Sequence, residues 1–203
     1  VNFGLPICED IWKETVLKKL SQSGAEIIIA INASPFTMSK YDERNNITLC
    51  RVKETKLPIV YLNRTGGQDE LIFDGSSFSL NYDGKKFSSL EEFKEDIATI
   101  NFEKNNGKWV GNGNLKENSS QPERLYKALV LGLRDYVKNN KFSGVVLGLS
   151  GGVDSALVAA LATDAFGSKL VQAIMLPSPY TGEESLKDAR DAASLLNIKY
   201  SNL

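Results

Sequence analysis

The strongest constraint on the fold is a glycine-rich segment, GLSGGVDS at residues 148–155. The stretch GVVLGLS predicts a buried strand that enters this segment, and ALVAALATDAF predicts a helix that leaves it. A second apolar run, KLVQAIMLP, predicts another buried strand after the helix. Strand, helix and strand in this order form a βαβ unit, in which the crossover between the parallel strands is right-handed. The second part of the chain is therefore predicted to be α/β with a parallel sheet.

The segment has the chemistry of a phosphate site. Backbone amides that open a helix after closely spaced glycines point at whatever lies above the positive helix end, and this suits a phosphate group. Ser150 and Ser155 add hydroxyl donors, and Asp154 predicts a Mg²⁺ ion shared with the phosphates. Neither GxxxxGK[ST] nor GxGxxG is matched. A strand-to-helix turn rich in small residues for packing is the structural alternative. The predicted nucleotide-binding residues are Gly148, Leu149, Ser150, Gly151, Gly152, Val153, Asp154 and Ser155.

Strand and helix patterns also alternate over residues 1 to about 85. AEIIIAINAS and PIVYLNRTGG are apolar runs typical of strands buried on both faces. WKETVLKKLSQSG and YDERNNITLCRVKETKL predict helices, and VNFGLPI predicts a strand before CEDIW. LIFDGSSFSLNYDGKKF predicts antiparallel hairpins with two Asp-Gly turns.

The remaining segments predict a linker, two helices and a last strand. FEKNNGKWVGNGNLKENSSQ is polar and predicts a linker or a long surface loop, or a decoration of one continuous domain. PERLYKALVLGLRDYVKNN predicts a helix whose apolar face holds Leu125, Leu129, Leu133 and Val137. ESLKDARDAASLLNI predicts a helix capped by Thr181, followed by a strand in NIKYSNL. Because both chain ends fall in strand patterns, we expect the chain to be a portion of a longer protein.

Composition excludes several classes of function. The 203 residues contain no His, so the chain itself offers no Ser-His-Asp or Cys-His catalytic pair and no imidazole zinc ligand. Lys and Arg number 24 against 25 Asp and Glu, and this balance argues against nucleic acid as a partner. Apolar runs are shorter than the roughly 20 residues that span a bilayer, so no membrane span is predicted. Two Cys predict a reducing, cytoplasmic setting.

The two cysteines differ in context. Cys8 ends a predicted strand, just before a helix expected to begin near Asp10 or Ile11. The residues alone leave open whether Cys8 is a nucleophile or a buried structural thiol. Cys50 lies in an amphipathic helix and is predicted to be a core thiol. The acidic tract QDELIFDG at 68–75 has no His and no regular ligand spacing, so a structural or interdomain role is favoured over metal binding.

Longer motifs identify a family. PICEDIW, NASPF at 32–36 and GGQDELIFDG at 66–75 resemble the glutaminase half of glutamine-dependent NAD synthetases, which belongs to the nitrilase, or carbon–nitrogen hydrolase, superfamily. LYKALVLGLRDYV, GLSGGVDSALVAALATDAFG and MLPSPYTGEESLKDA resemble the start of the synthetase domain, and SGGxDS resembles the pyrophosphate loop of ATP pyrophosphatases. The resemblance implies the C-terminal part of a nitrilase-like αββα sandwich at 1–110, followed by the first part of a Rossmann-like parallel-sheet ATP-pyrophosphatase domain at 111–203.

The resemblance also implies site residues. Cys8 matches the nucleophile, whose Glu base and Lys partner lie upstream in the family and have no matching positions here. Glu9 would hold the α-amino group of glutamine, Ser34 would contact the substrate and Lys40 would meet the α-carboxylate, or Ser34 and Lys40 are plain loop residues. Ser39 and Arg64 stand where the family pattern has Gly and Gln, and the change beside Lys40 weakens its assignment. Tyr180 and Thr181 would border the ATP pocket.

The implied function is ATP-dependent amidation of deamido-NAD to NAD with ammonia from glutamine, releasing AMP, pyrophosphate and glutamate. ATP and Mg²⁺ would be required, and the family enzymes are homo-oligomers. The chain alone is expected to be inactive as a glutaminase. Two alternatives stay open: another ATP-pyrophosphatase amidotransferase with a different acceptor, and a non-catalytic nucleotide-binding fragment.

Overall fold

The first sheet is built around the two apolar runs of the first part of the chain, IIIAIN and IVYLN. In a computed structural model, which describes residues 1–203, they are adjacent parallel strands, β2 (Ile27–Asn32) and β3 (Ile59–Asn63). Strand β1 (Phe3–Gly4) pairs in parallel with β2, while β6 (Phe78–Leu80) and β7 (Lys86–Ser89) add antiparallel pairs beyond β3, giving the order β1-β2-β3-β6-β7. Helices α1 (Glu14–Gln22) and α2 (Lys40–Thr55) cover this sheet, and their apolar side chains close a core around Ile28, Ile59 and Tyr61.

The chain divides into two compact units, residues 1–66 with 71–128 and residues 67–70 with 129–203. The predicted domain limits, 1–110 and 111–203, stay a prediction. The elements before the second sheet are β1 (Phe3–Gly4), a 3₁₀ helix (Cys8–Trp12), α1 (Glu14–Gln22), β2 (Ile27–Asn32), α2 (Lys40–Thr55), β3 (Ile59–Asn63), β4 (Thr65–Gln68), β5 (Leu71–Asp74), β6 (Phe78–Leu80), β7 (Lys86–Ser89), β8 (Asn101–Asn105), β9 (Lys108–Asn112) and α3 (Gln121–Asn139).

The second unit contains the predicted βαβ pattern. Its three strands, β10 (Val145–Gly148), β11 (Val171–Met175) and β12 (Lys199–Asn202), are all parallel and lie in this order, with helices α4 (Val153–Phe166) and α5 (Glu183–Leu195) as the crossovers. Small side chains of these helices, Ala159, Ala162 and Ala189, pack into the core beneath the sheet. The elements are β10 (Val145–Gly148), α4 (Val153–Phe166), a 3₁₀ helix (Ser168–Leu170), β11 (Val171–Met175), α5 (Glu183–Leu195) and β12 (Lys199–Asn202).

Two turn and loop predictions are wrong. The first part of the polar stretch predicted as a linker or long surface loop forms the hairpin β8–β9, turned by Asn106 and Gly107 with φ of 50° and 79°, whereas residues 113–120 form neither helix nor strand. This Asn-Gly pair is the signature of a type I′ hairpin turn. Of the two Asp-Gly pairs, Asp83-Gly84 lies between the paired strands β6 and β7. The pair Asp74-Gly75 joins β5, which pairs with β4, to β6 in another sheet.

Several burial predictions are also wrong. Cys50 is exposed on α2, and the edge strand β10 leaves Val146 exposed. On α3 the buried residues include Ala128 and Leu131, while Leu125 and Leu129 are exposed. A spacing of four residues advances about 40° per step around a helix, so four such positions do not stay on one buried face. The cap of α5 is Gly182 and not Thr181.

The Glu26 carboxylate ties the hairpin β8–β9 to the start of the chain. It accepts hydrogen bonds from Lys104 Nζ at 3.0 Å, the Asn2 amide at 3.0 Å and Trp109 Nε1 at 3.1 Å. These donors, Lys104 foremost, lower the pKa of Glu26 from 4.5 to about 2. A depressed folded-state pKa contributes stability above about pH 4.5, and this contribution is lost as the pH falls toward 2.

Glu26→Gln should therefore make the free energy of unfolding depend less on pH below about pH 5. We expect wild type to lose more free energy of unfolding than the variant between pH 5 and pH 2.5, because only wild type must protonate this carboxylate. Urea unfolding at both pH values measures the difference. Glu103→Gln, on exposed β8, is the matched control and should follow wild type. Equal pH slopes in wild type and Glu26→Gln would contradict the assignment.

Candidate functional site

Candidate residues gather at one edge of the first sheet because β1, β2 and β3 run parallel and end there. Cys8 follows β1, Ser34 follows β2 and Asn63 is the last residue of β3. The extended segment after β1 still touches the sheet, through a parallel bridge between Ile7 and Ile31. Carboxyl ends of parallel strands form the usual ligand crevice in α/β sheets.

Cys8 has an unusual backbone conformation. Its φ is +49°, a left-handed value that is uncommon outside glycine and that clusters at functional sites. The α-helix predicted near Asp10 or Ile11 begins only at Glu14, and Cys8 instead opens a five-residue 3₁₀ helix. Asp10 holds this turn, since its Oδ2 accepts the Ile7 amide at 2.9 Å. The thiol is partly accessible.

Tyr61, on β3, lies near Cys8 and Ser34, and the sequence analysis does not predict it as a site residue. Its side chain is fully buried and stacks on Phe78, with ring centroids 5.1 Å apart. Burial raises the pKa of Tyr61 to about 12, and Ser34 and Cys8 are close enough to influence it. No acceptor or donor reaches the hydroxyl in full hydrogen-bonding geometry. The alternation of Ile59, Tyr61 and Asn63 along β3 is the signal that places them on one face.

Asn63 holds the backbone of Ser34 from both sides. Its Oδ1 accepts the Ser34 amide at 2.8 Å, and its Nδ2 donates to the Ser34 carbonyl at 3.2 Å. Asn32 joins the ends of β2 and β3, because its Nδ2 donates to the carbonyls of Ala30 and Leu62. These amide side chains replace the ladder hydrogen bonds that end with β2, so the segment 32–36 is fixed where it leaves the sheet.

A buried group of charges lies behind Asn63. Asp74, with no exposed surface, pairs through Oδ2 with Arg44 Nη2 at 2.6 Å and accepts the Ser76 hydroxyl at 2.8 Å. Arg124 lies 3.5 Å from the same oxygen and 2.9 Å from Glu92 Oε1. The acidic tract that includes Asp74 is thus tied to arginines. A carboxylate that ends the apolar run LIFD was the available sequence signal, but its partners are distant in the chain.

The other two residues assigned to glutamine have different surroundings. Lys40 begins α2, and its Nζ lies 5.1 Å from the ring centroid of Trp12, in the 3₁₀ helix of Cys8. The same Nζ pairs with Glu43 at 2.8 Å, and Ser39 donates to Glu43 at 2.6 Å. These two donors, Lys40 first, lower the pKa of Glu43. Glu9 is exposed beside Cys8. The structure therefore brings Cys8, Ser34 and Lys40 to one region and leaves Glu9 at its surface.

The glycine-rich loop of the second unit forms a tight strand-to-helix connection. Gly151 has a φ of +83°, and a Cβ at this position would lie 2.3 Å from the Ser185 carbonyl oxygen of α5. Gly152 caps α4 with extended backbone. The two loop serines stabilise the turn, since Ser155 Oγ accepts the Ser150 amide at 3.1 Å and Ser150 Oγ accepts the Gly152 amide at 3.3 Å. Only Gly151 among the loop glycines requires a left-handed backbone.

A cavity of about 500 Å³ opens beside this loop, at the carboxyl ends of β10 and β11. Its size falls in the range of small-molecule sites. Thr181 lies on its rim and accepts the Ser178 amide at 2.8 Å, while Tyr180 is almost fully exposed. The lining residues are Gly148, Leu149, Ser150, Ile174, Met175, Leu176, Tyr180, Thr181, Gly182 and Ser185.

Asp154 is exposed in the first turn of α4. No group of three or more Cys, Asp or Glu side chains in the structure is arranged to hold a metal ion. A lone carboxylate still fits Mg²⁺ in a nucleotide site, because that ion takes one or two carboxylates together with phosphate oxygens and water. No helix has the length and apolar character of a membrane span.

Comparison with known proteins gives two adjacent matches. The sequence profile described as carbon-nitrogen hydrolase matches residues 1–106, and the profile described as NAD synthase matches residues 125–203. The glutamine-dependent NAD(+) synthetase of Rhodobacter capsulatus is 44% identical over 98% of this chain. The protein of the same name from Acinetobacter baylyi is 40% identical over 98% of this chain. The chain spans 36% and 37% of these two relatives.

Solved structures agree with these matches. A glutamine-dependent NAD+ synthetase from Acinetobacter baumannii, in complex with ADP, superposes with a TM-score of 0.92 at 38% identity, over 98% of this chain and 38% of that one. The enzyme from Cytophaga hutchinsonii shares the fold, with a TM-score of 0.76 at 18% identity, over 99% of this chain and 38% of that one. The predicted fold class, a nitrilase-like portion followed by a Rossmann-like portion, is confirmed.

Proposed function

The chain belongs to the carbon–nitrogen hydrolase family, and from this membership we propose that it is a portion of a glutamine-dependent NAD synthetase. The whole protein would amidate deamido-NAD with ammonia taken from glutamine, at the expense of ATP. One observation carries the proposal: Cys8 at a sheet edge precedes, in the same chain, a strand–GLSGGVDS–helix loop beside a cavity of about 500 Å³.

The glutaminase half-reaction would proceed at Cys8. The thiolate sulfur attacks the amide carbon of glutamine, a C–S bond forms and the C–N bond breaks, and the leaving nitrogen takes a proton to depart as ammonia. Water then hydrolyses the thioester and releases glutamate. Ser34 would contact the substrate, Lys40 its α-carboxylate and Glu9 its α-amino group. Because residues 1–203 offer no match to the family's Glu base and Lys partner, we expect the isolated chain not to hydrolyse glutamine.

The synthetase half-reaction would proceed beside the loop of residues 148–155. The nicotinate carboxylate of deamido-NAD attacks the α-phosphorus of ATP, so that pyrophosphate leaves and an acyl adenylate forms. Ammonia then attacks the acyl carbon, and AMP leaves as NAD forms. The backbone amides at the start of α4 would stabilise negative charge on the phosphates. Asp154 would hold Mg²⁺, which when bound reduces repulsion among the phosphate oxygens.

The test is transfer of labelled nitrogen by the complete gene product. Glutamine labelled with ¹⁵N at the amide, deamido-NAD, ATP and Mg²⁺ should yield ¹⁵N-labelled NAD, with one AMP and one pyrophosphate for each. Pyrophosphate release only with another carboxylate acceptor would favour a different amidotransferase. ATP binding without pyrophosphate release from any acceptor would favour a nucleotide-binding module. We also propose that the enzyme is cytoplasmic and forms a homo-oligomer. Light scattering of the same preparation tests the oligomeric state.

A further inference from the structure

We propose that Arg124 is a positioning residue for the glutamine site, although it lies outside the carbon-nitrogen hydrolase match. It would act through Asp74 and Asn63 on the Ser34 segment, so that the first turn of α3 sets how well glutamine binds. The inference rests on the proposed function, because the contact between Ser34 and glutamine is part of it.

Arg124 is held in the first unit by charge and by aromatic rings. Its side chain is only 11% exposed, and its Nε lies 2.9 Å from the buried carboxylate of Glu92. Glu92 also accepts the Ser119 amide at 3.1 Å, which fixes the chain just before α3 begins. The guanidinium lies over the rings of Tyr41 and Phe36, at 4.9 and 5.8 Å from their centroids.

Two routes of contact lead from this guanidinium to the segment 32–36. In the first, Arg124 Nη2 lies 3.5 Å from Asp74 Oδ2, and Asp74 Oδ1 accepts Asn63 Nδ2 at 3.5 Å. Asn63 in turn bonds both the amide and the carbonyl of Ser34. The second route is direct, since Phe36 lies two residues after Ser34 and packs under the guanidinium. The first route ends on Ser34, which is assigned to glutamine contact, and the second ends on Phe36 in the same segment.

The charge balance explains why Arg124 matters. The buried group holds two cations, Arg44 and Arg124, and two carboxylates, Asp74 and Glu92. Arg44 already uses Nη2 for Asp74, and Arg44 Nη1 has no hydrogen-bond partner. Without Arg124 the group carries one uncompensated negative charge in a buried place, a state that favours rearrangement or entry of water. Asn63, bonded to Asp74, is the group through which such a rearrangement reaches Ser34.

The test compares glutamine with ammonia as the nitrogen source in the complete gene product. For Arg124→Gln we expect the KM for glutamine to rise about tenfold or more, because the substrate contact is displaced, while the ammonia-dependent rate stays within about twofold. Arg124→Lys keeps the charge and should recover part of the loss. Glu92→Gln, which frees Arg124 without removing it, should move the KM in the same direction. Lys138→Gln, at an exposed position near the end of the same helix, is the matched control.

A second readout needs no activity. Hydrogen exchange of a peptide covering residues 32–38 should be faster in Arg124→Gln than in Lys138→Gln, because the Ser34 amide loses its fixed acceptor. An unchanged KM for glutamine and unchanged exchange in both Arg124→Gln and Glu92→Gln would overturn the positioning role. If the exchange changes but wild type does not use glutamine, the proposed function fails and the positioning role fails with it.

Discussion

Replacing Cys8 by serine should abolish glutamine-dependent NAD formation by the complete gene product, a loss of about 1,000-fold or more. The serine hydroxyl occupies nearly the same space but is a far weaker nucleophile near neutral pH, so the thioester cannot form at a useful rate. Formation of NAD from added ammonia should stay within about twofold of wild type, because that step uses the loop in the second unit. Parallel assays with glutamine and with ammonium chloride measure both rates.

Cys50 supplies the matched control for this prediction. It is the only other thiol in the chain, and it is exposed on α2. Cys50→Ser should therefore keep both activities. Retained glutamine use in Cys8→Ser would exclude Cys8 as the nucleophile. Loss of the ammonia-dependent rate in Cys8→Ser would contradict the division of the two half-reactions between Cys8 and the glycine-rich loop.

Gly151→Ala is the second change for which we expect a large effect. The added Cβ meets the Ser185 carbonyl oxygen at 2.3 Å, and the backbone φ of +83° is itself unfavourable for alanine. The loop must move away from α5, and it carries the predicted phosphate donors with it. We expect ammonia-dependent NAD formation to fall about 100-fold, since a displacement of about 1 Å costs that much in a positioned site. The free energy of unfolding should fall by about 2–5 kcal/mol.

Gly167→Ala separates backbone strain from the steric clash. Gly167 follows α4 with a φ of +79°, but a Cβ there would have nothing within 4 Å. This variant should lose only the strain energy, about 1–3 kcal/mol, and should keep its activity. Urea unfolding measures the stability of both variants. If Gly167→Ala lost as much activity as Gly151→Ala, the close approach of the loop to α5 would not be the cause.

Elements with a strong periodic pattern were predictable from the sequence. The helix within YDERNNITLCRVKETKL and the βαβ unit around residues 148–155 follow from local patterns alone. The hairpin β8–β9 was missed although Asn106-Gly107 marks it, because its flanking residues are polar and carry little hydrophobic alternation. Burial was less predictable than element type. Cys50 and Val146 read as core residues, but exposure depends on which other segments cover a strand or a helix.

In the candidate glutamine site, too, short motifs identified some residues, whereas the role of others depends on partners far away in the chain. Cys8, Ser34 and Lys40 were singled out through short motifs, and the structure places all three in one region. Tyr61 and Asn63 were not, since an aromatic and an amide at the end of a buried strand are common in any sheet. Arg124 could not be predicted as a site residue, because it lies 50 residues beyond Asp74, its carboxylate partner.

The amino-acid sequence by itself determined two local features, a thiol after a strand and a glycine-rich loop before a helix, as well as the absence of any histidine. Backbone conformations and short-range hydrogen bonds produce the two local features, so a few neighbouring residues suffice to specify them. Only the tertiary structure decided which residues support them. The placement of Tyr61 near Cys8, the contact between Gly151 and α5, and the pairing of Arg44 and Arg124 with Asp74 all depend on segments far apart in the chain. Parallel strand order accounts for the first of these, because it collects the carboxyl ends of β1, β2 and β3 at one edge of the sheet.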